Sequence, residues 1–154
     1  MFAGDIRTLH GENVIITKTA SSGDKAQSFA DVLYKYGAKT HDASIEEHDK
    51  VVSLIHSVFQ LGLVGIAEVL SDTFDSPKDI KPFMSPNSRH VLNALERVIK
   101  QDEKLIADLQ LLNAQAPKVR KRFLEVIFRL VFSLENEDQT ALLESVKKSK
   151  KFFS

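Results

Sequence analysis

The sequence contains no cysteine and no tryptophan, and it has only 6 glycines and 4 prolines among its 154 residues. The absence of cysteine excludes disulfides, thiolate nucleophiles and thiolate metal sites, and it fits a reducing compartment such as the cytoplasm. Basic and acidic side chains number 21 each, so the formal net charge is zero and no nucleic acid partner is indicated. Length and composition suit a small soluble globular protein.

Several motifs that carry chemistry are also missing. No G-x-G-x-x-G turn occurs, and Gly62 and Gly65 lie inside an apolar stretch where they favour close helix packing. The sequence has no His-Glu-x-x-His, no calcium loop and no glycine-flanked serine nucleophile. We therefore expect no metal-binding residue and no cofactor-binding residue in this chain.

Export and membrane signals are absent as well. The N-terminus lacks the basic region and apolar core of a signal peptide. The most apolar run, residues 51–70, approaches membrane-spanning length but contains His56, Gln60 and Glu68. We expect a buried core or interface helix here, no membrane partner, and a cytoplasmic protein. The basic clusters 118–122 and 147–151 fall in predicted helices and indicate solvated faces.

The first 43 residues predict a strand, a helix and a second strand. Asn13 to Thr17 is a β-branched run, and residues 21–24 supply turn and N-cap chemistry for a helix through Tyr36. Gly37 ends this helix, and residues 38–41 form the second strand. Strands joined in this way lie parallel. Because two short strands are not stable alone, we expect either another copy or residues before Met1 to complete the sheet.

The remaining residues, 44–154, predict a mainly α domain. Ser44 and Glu47 match a capping box that opens a long helix to about Leu70, apolar on most sides. A connecting segment with Pro77 and Pro82 follows. The further predicted helices cover residues 86–116, 118–134 and 138–152.

Arg89 and Arg97 are the sharpest chemical feature of the chain. They lie eight residues apart, which places them on one quadrant of a helix, roughly 12 Å apart along its axis. Because a guanidinium forks onto a carboxylate, this pair indicates a site for a small molecule with more than one carboxylate. The alternative is two surface arginines that pair with neighbours such as Glu96 or Glu103.

Three segments follow one another along the chain. They are Met1-Phe2 with Asp5-Ile6 and Gly11 to Thr17; Gly37-Ala38 with Glu46 to Asp49; and Ser85-Pro86 with Arg89, Arg97 and Gln101-Asp102. In this order they resemble segments of the prephenate dehydrogenases of tyrosine biosynthesis and their arogenate-using relatives. The first resembles the family's His-Pro-Met-Phe-Gly-Pro segment and the strand after it, the second its crossing into the helical half, and the third its substrate-carboxylate segment.

This resemblance implies the C-terminal portion of an enzyme that oxidatively decarboxylates prephenate with NAD or NADP. Residues 1–43 would be a remnant of its Rossmann-like nucleotide-binding domain, and residues 44–154 its helical substrate-binding and dimerisation domain. The ligand would be prephenate or arogenate, and the chain would form a homodimer. The family's catalytic histidine precedes the Pro-Met-Phe motif and so would lie before Met1. We therefore expect this chain alone to bind no nicotinamide cofactor and to be inactive.

The resemblance also implies roles for individual residues. Arg97 is the expected carboxylate clamp, while Arg89 either joins it or supports the helix and its dimer contacts. The family often has an active-site histidine twelve residues after that of Glu-His-Asp; here Gln60 occupies that position and His56 stands one turn earlier. His48, His56 and Gln60 are thus candidate substrate-binding residues. The alternatives are a partly exposed histidine for His48 and a hydrogen-bonded core histidine for His56.

A second function remains open at this stage. The chain could be a stand-alone, non-catalytic helical module that binds an aromatic acid or a partner protein. A reading frame that continues upstream into a Gly-rich strand and turn would favour the enzyme, whereas a genuine translation start at Met1 would favour the module.

Overall fold

The computed structural model of the chain describes residues 8–154, so the first segment of the resemblance, Met1 to Ile6, lies outside the described residues. The chain divides into two compact units, one that ends at Val52 and a second, Ser53–Ser154. Each unit is described by itself. The expected domain boundary after residue 43 remains a prediction.

The first unit contains the predicted strand, helix and strand. β1 (Asn13–Thr17) pairs in parallel with β2 (Lys39–Ala43), and α1 (Lys25–Lys35) connects them. The register aligns Asn13 with Lys39 and Thr17 with Ala43. The small core consists of residues from β1, α1 and the turn before β2: Ile16, Ala30, Leu33 and Ala38. The prediction of a mainly α chain with a short β-α-β unit is confirmed.

One helix of 29 residues, Ile45–Thr73, dominates the rest of the chain. It comprises α2 (Ile45–Leu54), a π-helical segment (Ile55–Gln60) and α3 (Leu61–Thr73). The predicted capping box is present: Glu47 N donates to Ser44 Oγ at 3.1 Å, and Ser44 N donates to Glu47 Oε2 at 2.9 Å. These backbone and side-chain bonds hold the pKa of Glu47 below its ordinary value.

This helix is long and apolar enough to cross a membrane by length and composition alone. Within the chain, only 17% of its most apolar window is buried. Since core helices of soluble proteins pass the same test, the result is weak support for a membrane span. Among the described residues, most of this window is therefore at least partly exposed.

Short helices fill the connecting segment and longer ones complete the second unit. The short ones are α4 (Pro77–Ile80) and a 3₁₀ turn (Lys81–Phe83). The longer ones are α5 (Pro86–Ile99), α6 (Glu103–Leu111), α7 (Ala116–Glu135) and α8 (Thr140–Phe153). α3 packs on α5, while α7 packs on the π-helical segment and on α8.

The prediction of one helix from residue 86 to 116 is wrong, because the chain leaves the helix at Lys100 and restarts after Asp102. The Asp102 side chain accepts the backbone N–H of Leu105 at 2.8 Å and so caps α6. An aspartate that bonds to a nearby backbone N–H competes with a continuous helix. With this bond, α6 starts as a separate helix after Asp102, although the apolar periodicity alone predicted one continuous helix.

Gly37 gives a stability prediction for the first unit. Its φ is +83°, and a Cβ there would lie 2.7 Å from His10 Cδ2 and 3.2 Å from His10 Cα. Gly37→Ala therefore adds a clash to backbone strain, and we expect it to lower the free energy of unfolding by more than about 1 kcal/mol. Urea denaturation of this unit measures the loss.

Gly11→Ala is the matched control, because Gly11 has φ +82° but nothing within 4 Å of its added Cβ. We expect it to cost strain alone and less than Gly37→Ala. Equal losses in the two variants would show that the contact with His10 is unimportant.

Candidate functional site

A buried polar stripe interrupts the long apolar helix. Ser53, Ser57 and Gln60 retain 1%, 0% and 6% of their surface exposure. Their spacing of four and three residues places them on one face of the helix. Buried polar side chains need hydrogen-bond partners, so this face requires polar groups from neighbouring elements.

The stripe lies largely within the π-helical segment, Ile55–Gln60. At its end the backbone N–H of Leu61 donates to the carbonyl of His56, five residues earlier. A π turn is wider than an α turn and occurs frequently at functional sites. Here it brings His56 and Gln60, both predicted site residues, into one wide turn.

Gln110 on α6 is the main partner of this turn. Its Nε2 donates to the carbonyl oxygen of His56 at 2.6 Å and lies 3.3 Å from Gln60 Oε1. On the other side, Gln60 Nε2 donates to Gln101 Oε1 at 3.2 Å. Arg120 on α7 donates from Nη1 to the backbone carbonyl of Gln110. Side chains from the π-helical segment, α6, α7 and the turn between α5 and α6 thus form one connected polar cluster.

Burial lowers the pKa of His56 below its ordinary value of 6.5, while a hydrogen bond with Gln60 acts in the opposite direction. The lowered pKa favours the neutral form of the imidazole. Among the described residues, three buried atoms of this cluster lack a hydrogen-bond partner: His56 Nδ1, Ser57 Oγ and Gln110 Oε1. Such atoms are suited to a bound polar molecule or ordered water.

The two arginines lie on α5 with exposed side chains. The buried residues of this helix are Leu92 and Leu95, and Lys81 pairs with Glu96 at 3.3 Å. The link from α5 to the polar cluster is Gln101, which follows Arg97 by four residues and reaches Gln60. The role of both arginines in binding a carboxylate remains a prediction.

His48 belongs to the first unit and is half-buried. Its Nδ1 lies 3.0 Å from Oδ1 of the adjacent Asp49. Asp49, the next residue in the sequence, therefore orients the imidazole of His48. A substrate-binding role for His48 also remains a prediction.

Two apolar cavities lie in the second unit. One, of about 290 Å³, lies between α3, the α4 segment and α5, with Phe74, Leu92 and Ile99 in its wall. The other, of about 740 Å³, is a groove between α3 and α7. Gly62 contributes to this groove, and an added Cβ there would lie 3.7 Å from Phe123 Cζ. None of the predicted site residues lines either cavity.

The chemistry that the cluster offers is binding and orientation. It contains amide, hydroxyl and imidazole groups with a nearby guanidinium, all suited to hydrogen bonding. Across residues 8–154 no group of three or more His, Asp or Glu side chains is placed to hold a metal ion. The partnerless polar atoms of the cluster could bind a polar molecule or ordered water.

Sequence analysis did not identify Gln110 or Arg120 as site residues. Their contribution depends on the packing of α6 and α7, which no local motif reveals. The spacing of Ser53, Ser57 and Gln60 in an apolar helix was a usable signal, because polar residues at helical spacing indicate a polar partner.

Comparison with known proteins places these features in a family. The model of the family "Prephenate dehydrogenase, dimerization domain" matches residues 44–148. A probable arogenate/prephenate dehydrogenase of Methanocaldococcus jannaschii is 23% identical over an alignment that covers 99% of this chain and 35% of that protein. The chain thus spans about a third of the length of this relative.

His56 predicts a pH dependence of stability. Its pKa is lower in the folded chain than the ordinary 6.5 expected after unfolding, so the unfolded state binds more protons between the two values. The free energy of unfolding should therefore rise with pH through this window and lose this dependence above it. Urea denaturation across roughly pH 5 to 7 checks this, and His56→Gln should remove the corresponding slope.

His90→Gln, at an exposed position of α5, is the control and should retain the slope. A slope unchanged in His56→Gln would contradict the assignment to His56.

Proposed function

The chain belongs to the prephenate dehydrogenase dimerization-domain family, and on this basis we propose that it supplies the substrate-binding and dimerisation part of a prephenate dehydrogenase. The match over residues 44–148 is the observation that carries this proposal. It favours the dehydrogenase over the alternative of a stand-alone helical module. The cysteine-free sequence and the biosynthetic role of the family support a cytoplasmic location.

The polar cluster supports a role in holding the substrate. Prephenate carries two carboxylates, a ring and a hydroxyl. A site for it therefore needs cationic side chains such as arginine, which can make two hydrogen bonds to one carboxylate, together with neutral hydrogen-bonding groups. Arg97 is proposed to clamp one carboxylate, with Arg89 as a second cation on the same helix. His56 and Gln60 are proposed to bind the ligand from the wide turn. A substrate-binding role is also proposed for His48 of the first unit.

In the proposed complete enzyme, NAD or NADP would supply the hydride acceptor for the oxidative decarboxylation of prephenate. The contribution of this chain is to bind the dianion and orient its ring. The sequence has no Gly-rich phosphate-binding turn. We propose that this chain alone neither binds the cofactor nor turns over prephenate, and that arogenate is the alternative substrate.

The exposed apolar faces support a homodimer. Along the groove between α3 and α7, Val69 and Leu124 are 65% and 67% exposed, and Phe128 on α7 is also 67% exposed. Apolar faces of this extent on neighbouring helices indicate a protein partner. A second copy of the chain is the partner that the dimerization-domain family supports.

Calorimetry with prephenate tests the binding site. If Arg97 forms a charge-assisted pair with a substrate carboxylate, Arg97→Ala should weaken binding by about 2 kcal/mol or more. Arg122→Ala is the control, because Arg122 is exposed on α7 and pairs with Glu125 at 3.3 Å. Equal binding by wild type and Arg97→Ala would remove Arg97 from the site.

Light scattering tests the dimer. We expect a mass twice the 17.3 kDa of one chain. Leu124→Glu, which places a carboxylate in the apolar groove, should shift the mass to that of one chain, whereas Leu124→Met should remain dimeric. A wild-type mass of one chain would refute the homodimer.

An assay for reduced nicotinamide cofactor tests whether this chain has dehydrogenase activity on its own. We expect no NADH when the purified chain is mixed with prephenate and NAD, and no NADPH when it is mixed with prephenate and NADP. Turnover by the purified chain would overturn the proposal that it is inactive alone.

A further inference from the structure

We propose that the cavity between α3, the α4 segment and α5 binds a free α-amino acid with a bulky apolar side chain. The side chain of this ligand occupies the apolar interior, and its ammonium and carboxylate meet Asp75 and Lys100 of the cavity wall. None of the predicted substrate-binding residues lines this cavity. The proposal is therefore independent of the proposed function.

The interior of the cavity is formed by apolar side chains. Leu92 and Leu95 of α5, which are 4% and 7% exposed, line it. Phe74 and Ile80, from the segment that follows α3, line it as well. Such a wall offers water few hydrogen bonds, so the interior favours an apolar group over ordered water.

The volume of the cavity sets the size of that group. A cavity of about 150 Å³ lined by leucine, isoleucine and phenylalanine side chains holds benzene. The cavity next to α5 measures about 290 Å³, so it has room for an aromatic or branched apolar side chain and for the carbon that bears the charged groups. This volume lies near the lower end of small-molecule sites, which begin at roughly 300 Å³.

Two charged side chains in the wall indicate more than a hydrocarbon ligand. Asp75 follows the end of α3, and Lys100 is the C-cap of α5. No ion pair joins either of them to another residue of the described part, 8–154, so they do not pair with each other. The remaining charged residue of the wall, Glu96, pairs with Lys81 at 3.3 Å. The wall thus offers one carboxylate and one ammonium to a ligand.

A zwitterion complements this wall. The ammonium of an α-amino acid can pair with Asp75 and its carboxylate with Lys100, while the side chain fills the interior. An apolar amine leaves Lys100 unpaired beside a like charge, and an apolar acid places its carboxylate near that of Asp75. The wall therefore selects a ligand that carries both charges.

Calorimetry with L-phenylalanine and two truncated analogues tests the ligand class. Phenethylamine lacks the carboxylate, and 3-phenylpropionate lacks the ammonium. We expect L-phenylalanine to bind and each analogue to bind about tenfold more weakly or worse. Absence of L-phenylalanine binding at millimolar concentration, or equal affinity for all three compounds, would overturn the proposal.

Two isosteric variants separate the ionic contacts. We expect Lys100→Gln to weaken L-phenylalanine binding about tenfold and to leave phenethylamine binding unchanged, because phenethylamine has no carboxylate. Asp75→Asn should weaken L-phenylalanine binding but not 3-phenylpropionate binding. The controls are Lys78→Gln and Asp72→Asn, which remove the same charges at exposed positions outside the wall. Wild-type affinity for L-phenylalanine in Lys100→Gln and Asp75→Asn would contradict the assignment.

Ala67→Leu tests the cavity itself. Ala67 is a half-buried residue of the wall, so a leucine there fills part of the space that the ligand needs. We expect loss of L-phenylalanine binding with an unchanged or higher free energy of unfolding, as for other cavity-filling substitutions. Ala107→Leu, at an exposed position of α6, is the control and should bind as wild type. Retained binding in Ala67→Leu would place the amino acid elsewhere.

The same variant separates this proposal from the proposed function. Ala67→Leu should bind prephenate as wild type and keep the mass of the wild-type chain in light scattering. A loss of the dimer in Ala67→Leu would show that a second copy fills the cavity, and the proposal would then be wrong. If the wild-type chain binds L-phenylalanine but no prephenate, the substrate assignment alone fails.

Discussion

The hydrogen bond from Gln110 Nε2 to the carbonyl of His56 joins α6 to the wide turn of the long helix. The buried polar stripe depends on it. An unsatisfied amide in an apolar interior costs free energy, so polar groups there persist only where another element supplies partners. Gln110 supplies them from α6, Gln101 from the end of α5, and Arg120 holds the backbone of Gln110 from α7. The polar bonds thus connect the helices that surround the site.

Much of the fold was predictable because its signals are local. β-branched residues, the turn at residues 21–24 and Gly37 define the β-α-β unit, and the pair Ser44 and Glu47 forms the capping box as its spacing predicts. The break between α5 and α6 was missed although its signal is also local. The prediction followed the apolar periodicity and did not use the capping potential of Asp102, whose bond to Leu105 N starts α6 as a separate helix.

The site was less predictable, because its contacts join residues far apart in sequence. The spacing of Arg89 and Arg97 predicts that both lie on one face of a helix. The spacing of His56 and Gln60 predicts that both lie in one turn of the long helix. The sequence could not show that the turn is π-helical, since no residue type requires that geometry. Nor could it reveal Gln110, which lies 50 residues from Gln60 along the chain. Such partners follow from helix packing, which depends on the whole second unit.

α7 connects the site with the proposed dimer. Through Arg120 it holds the carbonyl of Gln110, and through Leu124 and its neighbours it forms one wall of the apolar groove. A second copy seated in this groove would restrict α7 and therefore the backbone that carries Gln110. Packed interiors resist displacement, so a fixed α7 favours a fixed amide orientation in the wide turn. Burial of the apolar face and orientation of the polar cluster would then be two effects of the same contact, which would give a physical reason for one helical domain to combine the two proposed roles, dimerisation and substrate binding.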